Sequence, residues 1–175
     1  MNIITALLLI LFAAFSRILP HPANFTPIAA IALFSGVYLN KRFAFAIPLI
    51  AMFISDLIIG MHSGMVWVYG SFVIITCIGF WLRSRMETSS GKKILYLLGA
   101  SLASSVIFFI ITNFGVWTSG FYGLDLKGLA ECYALAIPFF RNSLLGDLVY
   151  VTLMFGIYAL ISRYALKPEL QKTKN

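Results

Sequence analysis

The chain has 175 residues, of which 61% are hydrophobic and only 11% charged, and its formal net charge is +7. A soluble domain carries about 25% charged residues, so this composition excludes one and points to an integral membrane protein. The basic excess would suggest nucleic acid in a soluble chain; beside long apolar runs it reads as the flanks of membrane spans, and no nucleic-acid partner is expected.

The first run, about 2–19, starts "MNIITALLLI". It has no basic n-region and no small-residue cleavage pattern, so it reads as a span rather than a signal peptide. "LPHPANFTPIAAIALFSG" follows, Leu19 to Gly36, with three prolines between two apolar runs. A second span is placed at 27–39, with Pro27 suited to a first helical turn. Thirteen residues rise only about 20 Å, against a bilayer core of about 30 Å. The third span, 43–60, holds Asp56; the fourth, 65–82, holds Cys77, which is expected as a buried structural thiol. The fifth is placed at 94–113. The sixth, 143–162, has Asp147 near its start. The connection 114–142 is too long for a turn. Its Leu126, Leu129, Ala130, Tyr133, Ala134 and Ile137 recur at helical spacing, predicting a short surface helix over a pocket or in the interface. The whole chain is then a single all-α transmembrane domain of six helices.

Charge sets the orientation. Ten of the thirteen basic residues follow spans two, four and six: Lys41, Arg42, Arg83, Arg85, Lys92, Lys93, Arg163, Lys167, Lys172 and Lys174. Only Arg17, Lys127 and Arg141 lie at the other connections. The positive-inside rule puts both termini in the cytoplasm. "PHPANFTP", "GMHSGM" and the connection 114–142 then face outward.

The chemically varied residues gather on that outer side. Asn24, Asn113 and Asn142 could give polar contacts to a small ligand, beside His62, Phe25, Trp67, Trp117 and Phe139. A mostly apolar pocket with a few placed polar groups is the usual form of a small-molecule site; an interfacial aromatic belt is the other reading of the rings. Asp56 and Asp147 are costly in a membrane unless paired, with Arg141 or Arg17 as outer-side partners, and serve as an ion pair or a relay. Ala32 and Gly36, and Gly99 and Ala103, are four apart, which suits close helix packing or the docking of a membrane partner. Neither GxxxxGK[ST] nor HExxH occurs. Ser63 beside His62 is adjacency rather than a catalytic dyad, so no enzyme, cofactor or resident metal is expected.

"PHPANFTPIAAIALFSG", "PLIAMFISDLIIG", "TNFGVW" and "YALAIPFFRNSLLGDLVY" resemble an uncharacterised family of small bacterial membrane proteins, from about Ser16 to Tyr158. That family is similar in size and six-helix plan to the substrate-binding S components of energy-coupling-factor vitamin transporters. The resemblance implies an S-component-like bundle in the bacterial cytoplasmic (inner) membrane that binds a vitamin-like solute from outside. It also implies a transmembrane coupling protein and ATPases as partners. Helix one departs from the pattern, since "TALLLILFAAF" has only Ala13 and Ala14 together where many S components dock that protein. Were the ligand a corrinoid, His21, His62 or Cys132 would be candidate cobalt ligands. Two other classes of function fit the residues: a structural or assembly subunit of a membrane complex, and a stand-alone carrier using Asp56 or Asp147.

Overall fold

The computed structural model describes residues 3–165. They form six helices and, among the described residues, no strand: α1 (Ile3–Ile18), α2 (Ile28–Tyr38), α3 (Lys41–Ile59), α4 (Met65–Arg83), α5 (Ser90–Thr118) and α6 (Leu126–Ala165). α3 to α6 are each long and apolar enough to cross a membrane, whereas α1 and α2 are apolar but shorter. Lys167, Lys172 and Lys174 lie outside the described residues.

The shortest helix is the centre of the molecule. α2 has 11 residues, and Ile28 to Val37 are all buried. Its sequence is apolar on every side, and a helix of that kind belongs in a protein interior. It packs against each of the other five helices. Gly36 of α2 meets Gly79 of α4 so closely that a Cβ on Gly36 would stand 2.7 Å from the Gly79 Cα. The small residues at Ala32 and Gly36 are thus spent inside the bundle, and they are fully enclosed.

Both ends of α2 are fixed by neighbours. At its start Ile31 N donates to Pro27 O over 2.8 Å. At its end Arg83 reaches back from α4: Nε donates to Val37 O and Nη2 to Gly36 O, each at 2.8 Å, and Nη2 also to Leu39 O. These carbonyls have no partner within the helix, and a cation at a helix C-terminus also complements the macrodipole.

The connection between the fifth and sixth spans is shorter than its sequence suggests. α5 continues to Thr118 and α6 already begins at Leu126, so most of 114–142 is helical. The turn between them uses Gly120 and Gly123 at φ 79° and 84°, a region that favours glycine. Asp125 Oδ1 then accepts from Gly128 N at 2.6 Å, a capping bond at the head of α6. The separate surface helix and the sixth span are one helix of 40 residues, about 60 Å long, with Pro138 inside it. Pro138 removes one helical bond, but an apolar medium offers no other partner for the remaining backbone groups, so the helix continues. Its first half returns along α5: Tyr133 Oη donates to Ile110 O at 2.6 Å, and the Phe109 and Phe140 rings lie 4.8 Å apart.

The outer surface is apolar. Leu11, Phe12, Phe15, Ile58, Leu102, Leu153 and Ile157 are all exposed, as helices in lipid require. Cys77 belongs to this surface: it is exposed, not the buried thiol expected from its mid-helix position. A mid-helix position sets depth in the membrane, and the side of the helix sets burial.

Candidate functional site

Two buried carboxylates frame the site, and they differ in how they are satisfied. Asp56, on the last turn of α3, is 1% exposed. Arg17 closes α1 and places Nη1 2.6 Å from Asp56 Oδ1. Tyr69 Oη of α4 donates to Asp56 Oδ2 at 2.9 Å. Arg17 Nη1 also reaches Ser55 Oγ. The carboxylate therefore has a charged and a neutral donor, one on each oxygen. This cluster ties α1, α3 and α4 together at one end of the bundle.

Asp147 of α6 is 5% exposed. Ser105 of α5 donates to its Oδ2 at 2.6 Å. Arg17–Asp56 is the one ion pair among the described residues, so Asp147 has no cation within reach there. Arg141, a sequence candidate for the ion pair, is exposed and takes no part in one. It lies six residues before Asp147 on the same helix, a spacing that does not bring two side chains together.

Asp147 and Arg17, the partner of Asp56, both line an open cavity of about 410 Å³. The α1–α2 connection contributes His21, Asn24 and Thr26; the α3–α4 connection contributes His62; the helices contribute Arg17, Phe72, Phe108, Ser143 and Asp147. A second cavity, about 300 Å³, shares Asn24, Val68, Phe108 and Ser143 with the first. Its remaining wall is largely aromatic and aliphatic, with Phe109, Tyr122, Phe139 and Phe140, together with Asn113 and Cys132. The two cavities adjoin at these shared residues, the first carrying the charged groups and the second largely apolar.

The other sequence candidates divide clearly. Asn24 lines both cavities at φ 63°, a left-handed conformation that Asn tolerates better than most residues. It does not cap α2, which has no side-chain cap. His62 lines the first cavity, and Asn113 and Phe139 the second. Asn113 Nδ2 is tied to Phe109 O at 2.7 Å. Phe25 stands behind the site, with its ring against the backbone of Gly146 and 5.7 Å from the Tyr150 ring. Trp67 packs on Gly115 and edge-on to Phe114, and the Trp117 ring lies 5.5 Å from that of Phe114, tilted by 47°. Neither tryptophan lines either cavity, and nor does Asn142. His21 and His62 share the first cavity while Cys132 lines the second; no group of three His, Cys, Asp or Glu that could hold a metal occurs among the described residues.

Phe72, Phe108 and Ser143 line the site from helix interiors, and Ser55, Tyr69 and Ser105 hold its carboxylates and Arg17; none of them is among the candidates read from the sequence. A serine or phenylalanine inside an apolar run carries no local mark of whether it faces lipid or a cavity. A family model, described as a family of unknown function (DUF6580), matches residues 1–170. Searches of curated proteins and of solved structures each find no match.

Proposed function

The chain belongs to the family so matched, and we propose that it is a substrate-binding membrane subunit for uptake of a small, vitamin-sized solute. One observation carries this reading: the α1–α2 and α3–α4 connections and the α5–α6 hairpin converge on two adjoining cavities, one with charged groups and one largely aromatic. Recesses of several hundred Å³ with an apolar wall and a few polar groups suit compact organic ligands. The reading includes six crossings, with α2 as a short second crossing shielded from lipid by its neighbours. It also includes cytoplasmic termini, supported by the distribution of Lys and Arg, and a place in the bacterial inner membrane. The cavities then open outward. In the S-component form of the reading, a separate transmembrane coupling protein and its ATPases supply the energy.

The test is native mass spectrometry of the full chain, purified in mild detergent from cells grown in rich medium. Wild-type protein should release one bound small molecule, and Thr26→Trp, which fills the first cavity from its rim, should carry none. Wild-type protein that carries no solute overturns the reading.

A further inference from the structure

We propose that Asp147 is the anchor for a positively charged nitrogen, and that the solute is a small organic cation. This rests on the reading of the adjoining cavities as a solute site and names the chemistry that the site selects. Three observations lead to it.

The first is the imbalance of charge. Arg17 and Asp56 neutralise each other at 2.6 Å, so neither is left over for a ligand. Asp147 is the one carboxyl group that lines the cavity, and it has no opposite charge beside it among the described residues. A carboxylate without a counter-ion is costly inside a membrane protein, and a cation delivered by a ligand removes that cost.

The second is geometry. Asp147 is 95% buried, yet it borders the cavity. Ser105 occupies Oδ2, and Oδ1 has no hydrogen-bond partner among the described residues. The free oxygen is where a ligand N–H or an alkylated ammonium would settle.

The third is the wall beside it. Phe72 and Phe108 line the same cavity, their ring centroids 5.4 Å apart and their planes inclined by 34°. Aromatic faces attract organic cations through the ring quadrupole, more strongly where water is excluded. A carboxylate with two rings suits a protonated or quaternary nitrogen on a compact apolar body. A bare metal ion fits less well, since the described residues offer no cluster of three ligating side chains.

The experiment uses the full chain in lipid nanodiscs and three aromatic probes: benzyltrimethylammonium, its neutral isostere 2,2-dimethylpropylbenzene, and the anion benzoate. Binding is read by tryptophan fluorescence and by thermal shift. The cation should bind at least tenfold more tightly than either other probe. Asp147→Asn keeps the shape and an acceptor for Ser105; it should remove that preference while the protein stays folded. Equal binding of the three probes, or an unchanged preference in Asp147→Asn, overturns the assignment. If Asp147→Asn fails to fold, Phe108→Leu takes its place and should weaken the cation while sparing the neutral probe; equal weakening of both counts against the proposal. A neutral or anionic solute recovered from the native protein sinks the cation assignment and leaves the uptake reading standing. Absence of any solute and of any probe binding sinks both.

Discussion

Replacing Gly79 by alanine should destabilise the protein, although alanine is the better helix former. The added Cβ would stand 2.5 Å from Leu33 O and 2.8 Å from the Gly36 Cα, where ordinary contact begins at 3.4 Å. Both opposing atoms are backbone, so no side chain can rotate away. α2 and α4 must separate by about 0.6–0.9 Å at the crossing, and overpacking of this kind costs about 1–3 kcal/mol. Helix propensity returns about 0.5–1 kcal/mol. The net loss is about 0.5–2 kcal/mol, a fall in Tm of about 1–8 °C for a chain of this length. Gly70 and Gly156 provide the control, because a Cβ at either has nothing within 4 Å. Gly156→Ala and Gly70→Ala should leave the Tm unchanged or raise it. The assay is thermal unfolding in detergent, followed by near-UV circular dichroism. Equal Tm values for Gly79→Ala and Gly156→Ala would refute the claim that α2 and α4 touch backbone to backbone.

Arg83→Gln should lower stability by about 1.5–3 kcal/mol, since charge-assisted bonds to three carbonyls of the α2 terminus are lost; denaturation in mixed micelles measures it. Asp56→Asn strands Arg17 and should cost about 3–5 kcal/mol, with Tyr69→Phe costing about 1 kcal/mol; a double-mutant cycle on melting temperature separates the two. Asn24→Gly should fold as well as wild type, because glycine accepts φ 63° freely, yet bind the native solute at least tenfold more weakly. Asn24→Ala should melt lower than Asn24→Gly, and titration calorimetry with the recovered solute separates strain from lost contact. Reporters active only in the cytoplasm, fused to each terminus, should both be active, and a silent C-terminal reporter would mean an odd number of crossings.

The sequence carried the existence of the helices, because length and hydropathy are local properties. It also carried the gathering of His21, Asn24, His62 and Asn113 around two adjoining cavities, because each sits where an apolar run ends on the same side. The α5–α6 segment was harder to read. Gly120, Gly123 and Pro138 all look like breaks, but only the glycines, with their positive φ, make the turn. Trp67 and Trp117 mark the same end of the bundle as the site and still pack on Gly115 and Phe114 instead of lining it, because rotation about a helix axis is not encoded in position along it. The two aspartates look alike in sequence; their difference arises from Arg17 and Ser105, which lie 39 and 42 residues away along the chain.

The enclosure of α2 has a bearing on how the protein is made. A helix of 11 residues rises about 17 Å and cannot hold a transmembrane position on hydrophobicity alone. Its carbonyl end waits for Arg83, at the far end of α4, and one of its flanks waits for Val151 and Phe155 of α6. α2, made before the four helices that follow it, is therefore among the last to reach its final setting. A nascent chain halted before α6 holds an unfinished N-terminal half, and quality-control proteases would meet that half first.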